Sequence, residues 1–405
     1  MAHKIAVFVG TRPEGIKLAP VIHALEAHPD LEPIVILTGQ HKELLQPIVH
    51  RFQIPVHHEL HTMRPNNTLS TLSSHLLTQI DALMTEVSCD AAIVQGDTTT
   101  MLMATFVCFY RQIPVAHVEA GLRTSNLREP FPEEANRRLA THLVTWHFAP
   151  TKRAQQNLQN EGISDRAIFV TGNTVVDALY QERARQAEPG IRAALERAHQ
   201  QLLGAEAGRD FVLVTCHRRE NFGEGIQQIT HALLRLSHQY PETDWVVPIH
   251  LNPAVRVPIE ETLGMQPNIK LIPPQGYPQF VWLLRNARFV LTDSGGVQEE
   301  APAFQKQTLV MRSHTERPEG VDLGWSQLVG SDASAIIKAV QALMQRTEPD
   351  QEIPVAANPY GDGRAAIRIA NAMADSLNMT TQRDAQKAKS TERMSKTKRA
   401  PLMPA

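Results

Sequence analysis

Short apolar runs alternate with longer segments of helical periodicity along the chain. The apolar runs lie near 4–9, 33–37, 91–95, 113–118, 144–148 and 167–171, and then near 211–215, 245–249, 269–272, 289–292 and 308–311. Apolar runs separated by helices are typical of parallel sheets that helices cover on both faces. The pattern therefore predicts an α/β protein with two Rossmann-like, doubly wound domains.

A polar stretch at residues 171–174 separates the two sets of apolar runs. We therefore expect an N-terminal domain over 1–171 and a C-terminal domain over 172–357. Ligands of open α/β sheets bind outside the carboxyl ends of the strands, so two such domains facing each other would form a cleft lined by loops from both. Residues 379–405 are mostly polar and basic with few large apolar side chains, which predicts a disordered tail.

Composition narrows the range of partners. The length of 405 residues agrees with two domains, and the net charge of −2 gives no electrostatic support for binding nucleic acid or a membrane surface. The three cysteines, Cys89, Cys108 and Cys216, lack the short spacing of metal or redox motifs. No signal-peptide pattern and no run long enough to cross a bilayer is present, so we expect a cytoplasmic protein with a small-molecule partner.

The segment 292–301 combines a strand end, a turn of small residues and a helix start. At such a turn the backbone N–H groups of Ser294, Gly295 and Gly296 would point at a ligand, which is typical of a phosphate site. Glu299 and Glu300, in the helical turn that follows, could accept hydrogen bonds from sugar hydroxyls. An ordinary strand-to-helix turn explains the same residues equally well.

A second polar segment, residues 10–17, follows the first predicted strand. It superficially resembles a phosphate loop, but Ile16 separates Gly15 from Lys17 and no hydroxyl residue for magnesium follows. It also lacks the glycine spacing of a dinucleotide site, which argues against a hydride-transfer enzyme. Arg12 and Lys17 at a strand-to-helix junction suit a diphosphate, although Lys17 is equally explained as a surface residue of the helix.

Carboxylates follow two further predicted strands. Asp97 comes after the strand at 91–95, and Glu119 comes after the strand at 113–118. Two carboxylates at the same edge of a sheet suit general acid–base chemistry, because different surroundings can separate their proton affinities. A helix N-cap would also explain Asp97, but it does not explain Glu119.

Two other charged segments have a functional and a structural interpretation. Glu133 and Glu134 stand four residues before Arg137 and Arg138, for which a surface salt-bridge ladder is the simpler interpretation. His217 and the two arginines after it follow the first strand of the second domain. They form either a cationic patch that neutralises or protonates a diphosphate leaving group, or ordinary surface charges on a loop.

Seven blocks of the chain together carry a family resemblance. They are Gly10-Thr11-Arg12-Pro13-Glu14, Gln95-Gly96-Asp97-Thr98-Thr99-Thr100, His117-Val118-Glu119-Ala120-Gly121-Leu122-Arg123, Pro132-Glu133-Glu134-Ala135-Asn136-Arg137, His217-Arg218-Arg219-Glu220-Asn221, Thr292-Asp293-Ser294-Gly295-Gly296-Val297-Gln298-Glu299-Glu300 and Thr315-Glu316-Arg317-Pro318-Glu319. In this order they resemble the non-hydrolysing UDP-N-acetylglucosamine 2-epimerases, and the resemblance covers residues 4–375.

The resemblance implies a fold similar to that of the B-type glycosyltransferases, with a UDP-sugar in the interdomain cleft. It also implies a C-terminal helix at about 358–378 that returns to the first domain, and a homodimer. The implied reaction is the reversible C2 epimerisation of UDP-N-acetylglucosamine to UDP-N-acetylmannosamine, with no metal, nicotinamide or other cofactor. A glycosyltransferase or a hydrolysing epimerase on the same fold is the alternative.

The resemblance also assigns residues. The implied catalytic residues are Asp97, Glu119, Glu133 and His217. Either Asp97 or Glu119 would take the C2 proton, with Glu133 on the opposite sugar face or at a hydroxyl and His217 at a phosphate oxygen. The residues implied for binding the UDP-sugar are Arg12, Lys17, Arg137, His217, Gln275, Phe280, Ser294, Gly295, Gly296, Glu300 and Arg317.

The implied chemistry has a physical reason. The hydrogen on C2 of such a sugar is not acidic, because no carbonyl is conjugated with that carbon, so direct removal faces a large barrier. Departure of UDP makes C1 resemble an oxocarbenium ion and acidifies the C2 hydrogen. Anti elimination then gives a 2-acetamidoglucal, and syn re-addition of UDP gives the epimer.

One region departs from the family pattern. Some members are activated by a second molecule of UDP-N-acetylglucosamine, and Gln40-His41 matches the start of the region responsible. Asn66-Asn67 stands where the family usually carries Gly-Gln or Arg-Gln. The sequence therefore leaves such activation open.

Overall fold

The structure is a computed structural model that describes residues 2–63, 67–124, 126–204, 209–345 and 358–397. The described residues form thirteen strands in two sheets. The first sheet contains β1 (His3–Val9), β2 (Leu31–Leu37), β3 (His58–Glu59), β4 (Ala91–Gln95), β5 (Val115–Val118), β6 (Trp146–Ala149) and β7 (Ile168–Val170). The second contains β8 (Phe211–Thr215), β9 (Asp244–Pro248), β10 (Ile269–Ile272), β11 (Val290–Thr292), β12 (Thr308–Val310) and β13 (Ser326–Leu328).

Helices connect the strands of each sheet. They are α1 (Arg12–Glu26), α2 (Lys42–Phe52), α3 (Leu69–Leu83), α4 (Thr99–Tyr110), α5 (Glu133–Thr141), α6 (Lys152–Asn160), α7 (Thr174–Gln186), α8 (Pro189–Leu203), α9 (Glu224–Gln239), α10 (Pro253–Leu263), α11 (Tyr277–Asn286), α12 (Gly295–Glu300), α13 (Pro318–Asp322), α14 (Ala333–Met344) and α15 (Ala365–Thr397). Among the described residues, no helix is both long enough and apolar enough to span a membrane.

Both sheets have the same doubly wound topology. Their strand orders are β3-β2-β1-β4-β5-β6-β7 and β10-β9-β8-β11-β12-β13, and the strand pairs are parallel. The order reverses between β1 and β4 in the first sheet and between β8 and β11 in the second, which are the positions where open α/β sheets bind ligands. The predicted fold class is confirmed, and each of the eleven predicted strands is present.

Two short strands were not predicted. β3 has two residues and β13 has three, and both lie at sheet edges. Both residues of β3, His58 and Glu59, are polar, and β13 contains one large apolar residue, Leu328, so neither segment has the apolar run that identifies a strand. They extend the sheets without changing the position of the switch points.

The last helix packs on the first domain. One face of α15 carries Ala366, Ile369, Ala370, Met373, Ala374 and Leu377, which are buried in the core that also contains β1 and α1. This spacing of three and four residues is that of a single helical stripe. Asp177 of α7 caps the start of α15, because its carboxylate accepts hydrogen bonds from the backbone of Ala365 at 3.2 Å and of Ala366 at 2.9 Å.

The bounds of α15 differ from those that the sequence predicts. The helix begins at Ala365 rather than near 358, and it continues to Thr397 through residues predicted to be a disordered tail. Residues 379–397 contain no Gly or Pro and are rich in Ala, Lys, Gln, Arg and Met, which favour helices even where they bury little surface. The expected tail residues 398–405, and residues 346–357 of the expected second domain, lie outside the described residues.

We predict that the docking of α15 can be measured with two methionines of the same helix. Met373 is fully buried, whereas Met379 is 54% exposed. Met373→Ala should lower the free energy of unfolding by about 2 to 5 kcal/mol because it leaves a cavity, and Met379→Ala should change it by less than about 0.5 kcal/mol. Denaturant unfolding followed by circular dichroism measures both, and equal effects would contradict the docking.

Candidate active site

The two switch points face each other. Helix α1, which follows β1, faces helix α12, which follows β11: the Lys17 ammonium is 3.2 Å from a carboxylate oxygen of Glu299. Nη2 of Arg12 also donates to the backbone carbonyl of Gln275 at 3.4 Å. Two cations of α1 therefore reach across to the second domain, Lys17 to α12 and Arg12 to the segment before α11.

A chain of four buried charges crosses this space. Nζ of Lys17 lies 2.6 Å from Oε1 of Glu119 and 3.2 Å from Oε2 of Glu299. Oε1 of Glu299 accepts from Nε of Arg317 at 2.7 Å. The four side chains are between 1% and 11% exposed, so the pairs are poorly screened by water. The chain Glu119–Lys17–Glu299–Arg317 is called the ion-pair chain below.

The ion-pair chain sets different proton affinities for its carboxylates. Burial raises the pKa of Glu119, and the Lys17 ammonium opposes that rise only in part. Burial acts on Glu299 in the same direction, but Arg317 and Lys17 together hold the pKa of Glu299 below its usual value. Burial disfavours the charge of Lys17, yet Glu119 and Glu299 keep the pKa of Lys17 above its usual value.

The backbone and the neighbours of Glu119 fix its carboxylate in place. Glu119 has φ of +68°, a left-handed conformation that costs an ordinary residue about 1 kcal/mol or more. One carboxylate oxygen accepts from the amide of Gln95, the last residue of β4, and the other from the amide of Asn173 at 3.3 Å. Strained backbone that surrounding contacts hold in place is typical of functional positions.

Asp97 pairs with Arg137. Nε and Nη2 of Arg137 donate to Oδ2 of Asp97 at 3.0 and 2.6 Å. Burial opposes the charge of Asp97, but Arg137 holds the pKa of Asp97 below its usual value. The N-cap explanation of Asp97 is wrong, because Thr98 caps α4 by accepting from the backbone of Met101 at 3.1 Å.

The predicted ladder on α5 forms only in part. Nε of Arg138 donates to Glu134 at 2.8 Å as expected, but Arg137 donates to Glu134 at 3.2 Å and to Asp97 rather than to Glu133. Glu134 is fully buried, so this pairing is not a surface ladder. Oε2 of Glu133 is buried and has no hydrogen-bond partner among the described residues, which leaves it available to a ligand.

His217 lies on a loop that a buried aspartate organises. Asp293 accepts from the backbone N–H groups of His217 at 2.9 Å and of Arg218 at 2.8 Å. Nδ1 of His217 is 3.3 Å from Oδ1 of Asp293, and the His217 ring stacks on that of His250. Burial lowers the pKa of His217 despite the opposing charge of Asp293.

The turn at the start of α12 is shaped for two arginines. A Cβ on Gly295 would lie 2.6 Å from Nη1 of Arg317 and 3.2 Å from Nη2 of Arg218, so only glycine allows both guanidinium groups to approach. A Cβ on Gly296 would meet Oγ of Ser294 no closer than 3.9 Å, and that hydroxyl makes no capping hydrogen bond. The turn thus combines two cations with an open backbone, which suits an anion.

The remaining predicted residues lie beside α11. Burial and the neighbouring Glu299 raise the pKa of Glu300 to about 7. The side-chain amide of Gln275 donates to the carbonyl of Pro273 at 2.6 Å, so the contact of this residue with Arg12 uses its backbone. Phe280 is half-buried against the apolar cluster under α11.

Three residues of the site were not predicted. Gln95 and Asn173 hold Glu119, and Asp293 holds the His217 loop. Gln95 ends β4 and Asp293 directly follows β11, so a polar residue at a strand end was the available signal. Among the described residues, no group of three or more His, Cys, Asp or Glu side chains is arranged to hold a metal ion.

Comparison with known proteins identifies the family. Residues 23–374 match the family model described as UDP-N-acetylglucosamine 2-epimerase. The chain belongs to the UDP-N-acetylglucosamine 2-epimerase family. It is 43% identical over 371 residues to the UDP-N-acetylglucosamine 2-epimerase of Escherichia coli K12, and the match covers 91% of this chain and 98% of the relative.

Solved structures of the epimerase family have the same fold. The UDP-GlcNAc 2-epimerase of Neisseria meningitidis, solved with UDP-GlcNAc bound, superposes with a TM-score of 0.87 at 41% identity, covering 91% of this chain and 99% of the other. S. aureus MnaA, solved with UDP, superposes with a TM-score of 0.83 at 39% identity, covering 93% and 97%. These likenesses confirm the expected similarity to the B-type glycosyltransferase fold.

We predict strong energetic coupling between Lys17 and Glu299. Lys17→Met leaves the buried Glu119 without its paired cation and Glu299 with only Arg317, and should lower the free energy of unfolding by about 3 to 5 kcal/mol. Lys17→Met with Glu299→Gln should cost less than the sum of the single changes by about 0.5 to 3 kcal/mol. A double-mutant cycle by denaturant unfolding measures the coupling.

The exposed pair Arg192–Glu196 of α8 provides the control. Its side chains are 65% and 54% exposed at 3.6 Å, so the matching cycle with Arg192→Met and Glu196→Gln should give coupling below about 1 kcal/mol. Equal coupling in the two cycles would mean that burial does not strengthen the ion-pair chain.

Proposed function

We propose that this protein interconverts UDP-N-acetylglucosamine and UDP-N-acetylmannosamine by inverting C2, without net hydrolysis. The observation that carries the proposal is that candidate acid–base carboxylates of the first domain lie beside cations from both domains that suit a diphosphate. Glu119 contacts Lys17 directly, and Lys17 reaches Arg317 through Glu299. The names of the relatives and the ligands of the two solved structures support the same substrate.

The acid–base roles follow from the surroundings of each carboxylate. Glu119 takes the C2 proton, because burial raises its pKa and makes it the stronger base. Asp97 is held ionised by Arg137 and stabilises the positive charge that develops at C1. Glu133, with its unpaired buried oxygen, serves the opposite face of the sugar or one of its hydroxyls.

The proposed elimination breaks the C1–O bond to UDP and the C2–H bond of the sugar. As the C1–O bond to UDP breaks, its electron pair stays on the phosphate oxygen, where His217 supplies a proton. The C2–H electron pair becomes the C1=C2 bond of the glycal, and the proton passes to Glu119. In the re-addition, the UDP oxygen returns its proton to His217 and bonds to C1, and an acid group on the other face delivers a proton to C2. The proton on Glu119 passes to water, which reprotonates that acid group, so no oxidant or reductant is consumed.

Binding of the UDP-sugar divides between the two domains. The cations Lys17 and Arg317, with the turn at Ser294, Gly295 and Gly296, bind the diphosphate and retain UDP after the bond to the sugar breaks. On the second domain, Glu300 accepts from the ribose hydroxyls, and Phe280 with the backbone of Gln275 contacts uracil. Arg12 of the first domain also contacts the UDP-sugar, beside the backbone of Gln275. Arg137 acts through Asp97.

We further propose that two copies of the chain form a homodimer through the end of α4. Phe109 and Tyr110 are 50% and 72% exposed there, and the ring of Tyr110 lies 6.1 Å from that of Phe106. Neighbouring aromatic side chains that are exposed on the surface of a single chain are a common feature of interfaces between subunits.

We predict that deuterium from the solvent enters C2 of the sugar. Incubation of UDP-N-acetylglucosamine with the protein in deuterated water should give both epimers with label at C2, because the proton leaves and returns through exchangeable carboxylates. Mass spectrometry and proton NMR measure the label, and free UDP is measured in parallel. Epimer without label would contradict the elimination route, and steady release of UDP would indicate a hydrolysing epimerase, or a glycosyltransferase if release requires an acceptor.

The same assay tests the role of Glu119. Glu119→Gln should slow conversion by roughly a hundredfold or more while UDP binds nearly as before, since a general base contributes about 10² to 10⁴ in rate. Glu261→Gln, an exposed glutamate of α10, is the control and should leave the rate unchanged. Unchanged turnover in Glu119→Gln would remove this residue from the mechanism.

We predict that the wild-type chain has twice its chain mass of 45.1 kDa in light scattering. Changing Phe109 and Tyr110 to Ser should give the monomer mass, because the interface loses its aromatic contacts. Met265→Ser is the control, since Met265 is 92% exposed on the second domain and should leave the dimer intact. A monomeric wild-type chain, or a dimer that survives the double change, would contradict this interface.

A further inference from the structure

Asp293 accepts several hydrogen bonds from the loop that carries His217. It directly follows β11 and is fully buried. Its carboxylate accepts from the backbone of His217 and Arg218 at 2.9 and 2.8 Å, and from the side-chain amide of Asn221 at 3.1 Å. The carboxylate is therefore fixed relative to the loop before its effect on the His217 ring is considered.

The same carboxylate faces one nitrogen of the His217 ring. Nδ1 is 3.3 Å from Oδ1 of Asp293, whereas the ring as a whole is 39% exposed. A carboxylate beside Nδ1 favours the tautomer that carries the proton on Nδ1 and favours the imidazolium form. Nε2 is then left to face a ligand in the cleft.

We propose that Asp293 is a positioning residue that holds Nδ1 of His217, so that Nε2 delivers the proton to the departing diphosphate oxygen. This inference rests on the proposed epimerase function and concerns the same site. In the elimination step, Nε2 loses its proton to the phosphate oxygen that has gained the C1–O electron pair. In the reverse step, Nε2 recovers that proton, and Asp293 exchanges no proton in either step.

The charges around His217 explain why it needs this partner. Arg218 on the same loop and His250 after β9 both disfavour a second positive charge, and burial acts in the same direction, so the pKa of His217 is lowered. Asp293 is the neighbouring group that opposes these effects. Removing its charge should lower the proton affinity of His217 further.

The test uses Asp293→Asn, which retains an oxygen for the backbone donors and removes the charge. The acid form of His217 is required, so activity falls as the pH rises through its pKa. In Asp293→Asn this alkaline limb of the kcat profile should move to lower pH, and kcat at neutral pH should fall about tenfold to a hundredfold. The KM for UDP-N-acetylglucosamine should change less than threefold.

A second background separates positioning from a general structural loss. In His217→Gln the proton donor is already absent, so adding Asp293→Asn should lower kcat by less than threefold. Asp244→Asn provides the control, because Asp244 is also buried in the second domain but begins β9, and its neutralisation should leave the alkaline limb in place.

The outcomes are distinguishable. An unmoved alkaline limb in Asp293→Asn, or an equal loss of kcat with and without His217, would overturn the positioning role while leaving the epimerase function intact. A wild-type protein that does not convert the sugar nucleotide would instead contradict the proposed function itself.

Discussion

The ion-pair chain Glu119–Lys17–Glu299–Arg317 is the interaction on which the site depends. Each of its charges is buried, so each would carry a large desolvation cost if its partner were absent. The chain runs from the loop after β5, through α1, to α12 and the loop before α13. Because Lys17 lies on α1 of the first domain and Glu299 on α12 of the second, the same contacts that balance the charges also hold the two domains face to face.

The fold determines where these charges can meet. Parallel sheets bring the carboxyl ends of their strands to one edge, and the reversal of strand order opens a space there that no helix covers. Two local backbone features allow the charged side chains to lie in this space. Gly295 allows Arg317 and Arg218 to approach the start of α12, and the left-handed backbone of Glu119 is secured by Gln95 and Asn173. Helix α15, which follows the second sheet in the chain, packs on α1 and so forms a second connection between the two domains.

The sequence predicts the sheets and the strand-end positions of several candidate site residues, because both are encoded locally. An apolar run followed by Asp97, Glu119 or Ser294 predicts a strand and a candidate functional residue at its end. Pairing partners across the fold are not encoded in this way. Arg137 contacts Asp97, which lies forty residues earlier in the chain, rather than its helical neighbour Glu133. The pattern of apolar residues does not predict the continuation of α15 to Thr397, because that part of the helix depends on intrinsic helix propensity.

A diphosphate bound in this space would compete for the cations of the ion-pair chain. Lys17 and Arg317 are balanced by Glu119 and Glu299. On the proposed function, the phosphate charges take over part of that pairing, and Glu119, whose pKa burial already raises, loses part of its stabilising cation. Its affinity for a proton then increases at the stage when the C2 hydrogen must be removed. The cations that retain UDP would in this way also make the neighbouring carboxylate a stronger base.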